Sequence, residues 1–228
     1  MYKTEEEALR NEFNRWANAG RGEGMIEGHI DVTEQIVEAM GLKPRHRALD
    51  LGCGIGWATR MMAAHVSQGM AIGIDISDEM IHIARRDPAN SPNVFFFNAT
   101  ATALPFDRGH FNRLLSIESL YYYPDIPAAL AEVYRVMADG GKVFFMVNLY
   151  SENDGSHQWV EKLAVPVSML SELEYKTLFE ASGFRNVTTR RVLDRRPLEE
   201  LLKPKSSDTR EQIRKAAEAG SLVITGEK

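Results

Sequence analysis

Ala48-Leu49-Asp50-Leu51-Gly52-Cys53-Gly54-Ile55-Gly56-Trp57-Ala58-Thr59-Arg60 is the stretch on which the reading of this chain turns. Ala48 to Leu51 is a short apolar run that reads as a buried strand. Glycines follow at alternate positions, Gly52, Gly54 and Gly56, and then Met61, Met62 and His65 recur at helical spacing. A strand, a glycine turn and a helix in succession aim free backbone N–H groups at an anionic ligand. Glycine lets the chain turn sharply and keeps Cβ atoms away from that ligand. Asp50 adds a carboxylate at the strand end, so a ligand carrying both an anion and a cation suits the pairing.

The spacing is not that of the dinucleotide fingerprint G-x-G-x-x-G, because the third glycine comes one residue early. Asp75 ends the next apolar strand, Met70 to Ile76, nineteen residues after Gly56. An acid there can accept both ribose hydroxyls of a nucleoside. Asp-x-Gly-x-Gly-x-Gly followed by that acid resembles motif I and the acidic loop of the class I S-adenosylmethionine-dependent methyltransferases, in their type 11 small-molecule branch. Leu104-Pro105-Phe106 and Ser116-x-Glu118-x-Leu120, with three tyrosines and Pro124-Asp125 behind it, resemble the same branch. So does Glu132-x-x-Arg135-Val136-Met137 before Gly140-Gly141, with Ala-Asp where the family has Lys-Pro.

The resemblance implies S-adenosylmethionine as cofactor and a cofactor-binding set of Asp50, Gly52, Cys53, Gly54, Gly56, Asp75, Ile76, Met80, Thr100, Ala101, Ser116 and Ile117. In it the glycine turn holds the methionine part and the acid holds the ribose. Met80 packs on the adenine ring, Thr100 stands where the family has an acid for the adenine amino group, and the Ala101 N–H faces the ring. It also implies a Rossmann-like, doubly wound α/β sheet of seven strands in the order 3-2-1-4-5-7-6, with the last strand antiparallel.

The totals set bounds on the function. The chain has 228 residues, enough for one α/β domain with modest additions, and 44% apolar content supplies a full core. A net charge of −5 argues against a broad basic face for nucleic acid. The single cysteine, Cys53, rules out an intrachain disulfide and a cysteine metal cluster, and reads as a small buried side chain. No metal site is expected. No apolar run reaches the length of a membrane span, and Met1 to Glu7 lacks a signal-peptide core. A cytoplasmic monomer or homodimer acting on a small molecule is the expectation.

Along the chain, Thr4 and Glu7 form a capping box for a helix from Glu5. Residues 1–43 read as an N-terminal helical cap, broken by a glycine-rich joint at Gly20, Gly22, Gly24 and Gly28, with a second helix over Asp31 to Met40. Residues 44–228 read as the cofactor-binding domain. Ser77 caps a helix, Val94 to Phe97 and Arg113 to Ile117 are strands, and Asp125 caps a helix. Further strands follow at Lys142 to Asn148, Phe184 to Val192 and Leu222 to Thr225. Segments 149–166 and 193–220 are insertions, with helices over Ser168 to Ser182, Leu198 to Leu202 and Thr209 to Ala219. Arg195, Arg196, Lys203 and Lys205 read as a solvated face.

A sulfonium methyl is already activated, so the protein's task is to align the nucleophile and keep water out. A base is needed only where the nucleophile must lose a proton. The candidates are His29, Glu118, His157 and a tyrosine of 121–123, with His29, Glu118 and Tyr121 taken as the catalytic set. Of the three tyrosines, one or two are expected to line a pocket and one to enter the core. The competing readings are a nicotinamide-dependent oxidoreductase, against which the early third glycine and Leu104-Pro105-Phe106 count, and a non-catalytic subunit that binds S-adenosylmethionine.

Overall fold

The computed structural model describes residues 2–202 and 210–228. Seven strands form one sheet: β1 Arg47–Leu51, β2 Met70–Asp75, β3 Val94–Asn98, β4 Phe111–Ile117, β5 Met137–Val147, β6 Arg185–Val192 and β7 Ser221–Glu227. Their order is β3-β2-β1-β4-β5-β7-β6, as expected. The pairs among β1 to β5 are parallel, and β7 lies antiparallel between β5 and β6.

The helices are α1 Tyr2–Asn18, α2 Arg21–Ala39, α3 Trp57–Ala63, α4 Asp78–Arg86, α5 Ile126–Val136, α6 Glu172–Ala181, α7 Leu198–Leu201 and α8 Arg210–Ala219. Both sheet faces are covered. On one face Leu130 and Val133 of α5 and Tyr175 and Phe179 of α6 pack against Leu49, Leu51, Leu114 and Phe145. On the other, Ile36 and Val37 of α2 and Ala58 and Met62 of α3 pack against Ala48, Ala71, Leu115 and Met146. Central strands buried on both faces must be apolar at consecutive positions, which is why β2 reads as an unbroken run up to Asp75 and β1 is interrupted only by the site carboxylate Asp50 after Arg47. Each fully buried side chain of this size contributes about 1.5–3 kcal/mol by leaving water.

Several boundaries differ from the sequence reading. Helix α1 already runs through Thr4, so Thr4 is not its N-cap. The glycine stretch is not a long joint: only Ala19 and Gly20 turn, and α2 is helical from Arg21 onward. Its tertiary contacts override the glycines' poor propensity. A Cβ on Gly22 would lie 2.7 Å from the Ile55 side chain, so glycine there lets α2 approach the glycine turn. Strand β5 begins at Met137, five residues before Lys142, because Met137 pairs with Phe111 ahead of an irregularity in the β4–β5 ladder. Helix α6 starts at Glu172, where Ser171 and Glu174 form a capping box.

Arg195 is exposed as expected but is also ion-paired, whereas Arg196 is partly buried. Arg195 Nε donates to Asp31 at 2.8 Å and its backbone N–H donates to the other oxygen at 2.8 Å. Gln35 donates to the Leu193 carbonyl and Arg196 to the Glu27 carbonyl. These bonds tie α2 to the chain between β6 and α7. Lys203 and Lys205 lie outside the described residues.

Candidate active site

The glycine turn after β1 is held tightly from below. Gly52 and Cys53 N–H both donate to the Ile74 carbonyl, and Gly56 N–H donates to the Cys53 carbonyl. Gly54 N–H donates to Asp75 at 2.8 Å. The N–H groups at 52, 53, 54 and 56 are therefore engaged within the protein, not left free for an anion as the sequence suggested. The glycines have separate reasons. A Cβ on Gly52 would meet Ser119 at 2.5 Å, and one on Gly56 would meet the Phe96 ring at 2.4 Å. The early third glycine thus accommodates a phenylalanine of β3. Gly54 differs: at φ +52° it has nothing within 4 Å of an added Cβ, because that direction is open cavity.

The two carboxylates sit behind this turn. Asp50 is 1% exposed and accepts the Thr59 hydroxyl at 2.6 Å. Burial, then the neighbouring Asp75 charge, pushes its carboxyl up to about 7, against the Thr59 hydrogen bond. Asp75 accepts the N–H groups of Gly54 and Ser77, one on each oxygen, both at 2.8 Å. Burial raises its carboxyl despite those bonds. Each oxygen keeps a further lone pair for a ligand hydroxyl. A buried acid pair that is costly while both groups are charged fits a ligand carrying positive charge and hydroxyl donors.

One cavity of about 690 Å³ joins these groups. Asp50, Gly52, Cys53, Gly54, Asp75, Ile76, Met80, Thr100, Ala101 and Ile117 line it, whereas Gly56 and Ser116 do not. Ser116 lies behind: its hydroxyl meets Ser119 Oγ at 2.6 Å, and Ser119 also meets the Tyr123 hydroxyl at 2.8 Å and donates to the Leu51 carbonyl. Thr100 meets the Thr102 hydroxyl, which donates to Glu6 of α1. Helix α1 roofs this end. Arg10 donates to the Ile76 carbonyl, and Asn14 accepts the Ser77 hydroxyl and the Glu79 N–H at the start of α4.

The three catalytic candidates meet at the other end. Glu118 follows β4 at φ +53°, a conformation rare for a residue with a side chain. The strain turns its carboxylate into the cavity wall, 7% exposed. It accepts the Asn148 N–H and the Tyr121 hydroxyl, the latter at 2.9 Å. Burial raises its carboxyl, opposed by His29, Tyr121 and the Asn148 N–H. His29 Nε2 lies 3.9 Å from Glu118 Oε2. His29 Nδ1 is 2.8 Å from the Met25 carbonyl, which can only accept, so Nδ1 carries the proton and Nε2 is the atom that can take one. Tyr121 keeps its own proton, since burial and the adjacent Glu118 charge raise its phenol well above its ordinary range, so it serves as a donor to Glu118. All three tyrosines reach the cavity wall. Tyr122 meets Phe13 and Trp16 of α1 edge to face, and Tyr121 and Tyr122 belong at the same time to the buried core. His157 is turned away, bonded to the Ser151 carbonyl.

Sequence reasoning missed the outer wall. Trp16, Trp57, Trp159, Leu163, Asp194, Arg196 and Glu200 line the cavity, with Ala216 and Ala217 of α8. These come from both ends of the chain, and no local pattern announces their meeting. The Arg196 guanidinium is spent on Asp194 and the Glu27 carbonyl.

Comparison with known proteins agrees with this architecture. A family model described as "Methyltransferase domain" matches residues 48–141. The demethylmenaquinone methyltransferase of Staphylococcus aureus (strain JH9) is 26% identical over 191 residues, covering 72% of this chain and 78% of that protein. A chain from the complex of the Haloferax volcanii Trm112 methyltransferase activator with a methyltransferase superposes with a TM-score of 0.86 at 28% identity, covering 95% of this chain and 97% of that one. A methyltransferase of Thermotoga maritima, at 23% identity and TM-score 0.68, covers 96% of this chain and 99% of its own and shares the fold. Motif, sheet order and relatives converge on an S-adenosylmethionine-dependent methyltransferase, with the family match itself spanning residues 48–141.

Proposed function

We propose that the protein transfers the cofactor's methyl group to a small molecule held between the glycine turn and the wall formed by α2, α8 and the tyrosines. The observation that carries this is the single cavity running from Asp75 to Glu118 and on to Trp159. Its volume lies within the range of about 300–1,000 Å³ typical of small-molecule sites. Its outer end is bordered by α2 and α8, which favours a compact acceptor over a polymer. S-adenosylmethionine supplies a methyl on a sulfonium, already activated for transfer.

In this reading Asp75 accepts the ribose hydroxyls, Met80, Thr100 and Ala101 hold the adenine, and Gly54 and Asp50 face the amino-acid part. His29 and Glu118 receive the proton that the acceptor gives up, and Tyr121 orients Glu118. Residues 1–43 act as the cap over both ligands, and we place the enzyme in the type 11 branch and in the cytoplasm. No described helix is long and apolar enough to cross a membrane. The Haloferax relative was solved with an activator subunit, so a protein partner belongs beside monomer and homodimer among the assemblies to test.

S-adenosylhomocysteine should raise the melting temperature and NAD should not, since only a ligand of the native state stabilises it. A shift with NAD alone would return the site to the oxidoreductase reading. Cofactor binding without turnover on any acceptor would leave a non-catalytic binding subunit.

A further inference from the structure

The charge and hydrogen-bonding inventory of the acceptor end narrows the acceptor class. His29 Nε2 and Glu118 Oε2 face one another across 3.9 Å, and both are proton acceptors in the assigned tautomer. Asn148 N–H donates to Glu118 Oε1 and the Tyr121 hydroxyl to Oε2, the oxygen that faces His29, and among the described residues no hydrogen-bond donor bridges the carboxylate and the imidazole. Glu200 also lines this cavity, while the charge of Asp194 is taken up by Arg196. Arg196 is the only lysine or arginine among the described lining residues, and Asp194 neutralises it. Tyr121, bonded to Glu118, and its neighbour Tyr122 supply aromatic wall at this end, whereas the Trp16 ring already carries the Arg21 guanidinium at 5.1 Å. Acidic groups, aromatic faces and a gap between two acceptors are together the chemistry that receives a cation with N–H donors. An anionic acceptor would bring a second negative charge beside the buried carboxylate of Glu118.

Resting on the methyltransferase reading, we propose that the acceptor is a primary or secondary amine on an apolar body of about aromatic-ring size, bound as its ammonium ion between His29 and Glu118. The ammonium gives one proton to this pair, which frees the nitrogen lone pair. That lone pair forms the new N–C bond to the methyl carbon while the S–C bond breaks and its electron pair stays on sulfur. The methylated product leaves as the ammonium ion, and the proton held by the pair passes to water. The raised carboxyl of Glu118 suits this exchange, since a base of ordinary carboxylate strength would hold the proton too weakly.

The test is calorimetry on the full chain saturated with S-adenosylhomocysteine, titrated with phenethylamine, tryptamine and cyclohexylmethylamine, and with 4-ethylphenol and 3-phenylpropionate as isosteres. At least one amine should bind about tenfold or more tighter than its phenol counterpart, the scale of a charge-assisted hydrogen bond, and the carboxylate should not bind. Glu118→Gln should abolish the preference for the amine while leaving S-adenosylhomocysteine affinity within about twofold, because the charge is lost and the shape is kept. Tighter binding of the phenol or the carboxylate overturns the proposal, as does an absence of binding by every amine. The ligand series on the unaltered protein decides the matter whether or not the variant folds. Failure of S-adenosylhomocysteine to bind at the outset would instead count against the cofactor reading.

Discussion

Asp50 offers a test in which the magnitude follows from the structure. It is almost wholly buried beside Asp75, and its carboxyl is raised from 3.8 to about 7. The folded chain therefore keeps a proton that the unfolded chain has already released. Stability from this group is full below about pH 4, falls as pH rises to about 7, and is flat above. At about 1.4 kcal/mol per pH unit, the shift corresponds to an upper bound of about 4 kcal/mol between those limits. Asn in place of Asp keeps an acceptor for the Thr59 hydroxyl and removes the charge. Asp50→Asn should match the parent at pH 4 and exceed it by about 2–4 kcal/mol at pH 8 in the absence of ligand. Urea unfolding at a series of pH values, read as the difference between the two proteins, isolates the term from other carboxylates. S-adenosylhomocysteine, which carries an ammonium group, should stabilise the parent more than the variant at pH 8. Parallel stability curves for the two proteins across pH 4–8 would refute the argument, because they would mean that Asp50 titrates alike in both states.

Two further substitutions probe the site. Gly54→Ala places a methyl in open cavity at φ +52°, so it should cost only about 1–2 kcal/mol of stability by strain yet severely weaken S-adenosylhomocysteine binding, measured by calorimetry; unchanged affinity would move the cofactor away from this turn. Arg195→Ala removes the guanidinium half of the clasp to Asp31 and keeps the backbone bond, so hydrogen exchange should accelerate modestly across residues 21–39 and 193–202 with little change in α5; unchanged exchange there would show that the side chain holds nothing.

The sheet was legible because its central strands are buried on both faces and cannot hide among polar residues. The cofactor end was legible for a related reason: Gly52, Gly54, Gly56 and Asp75 belong to one local turn and its neighbouring strand. Helix α2 was not. Its glycines at 22, 24 and 28 carry a penalty of about 1 kcal/mol each in a helix, which reads as a break. Only the fold shows that Gly22 faces Ile55 at close range and that Gly24 and Gly28 border the cavity. Arg195 and Asp31 are 164 positions apart, so nothing in either neighbourhood marks them as partners. Glu118 stood out by its place in a family pattern, but its left-handed backbone, which aims the carboxylate, is a property of how β4 ends.

The roof made by α1 has a kinetic consequence. With the cofactor placed as proposed, its adenine lies beneath a helix fastened by Arg10, Asn14 and Glu6, whereas the acceptor end opens between α2 and α8. The two ligands then have separate routes out. Methylated product can leave while α1 stays docked, but spent cofactor can leave only when α1 lifts about the two-residue turn at Ala19 and Gly20. Release of the demethylated cofactor would then wait on α1, independently of the product. At saturating acceptor the slow step would be a helix undocking, not the transfer of a methyl group.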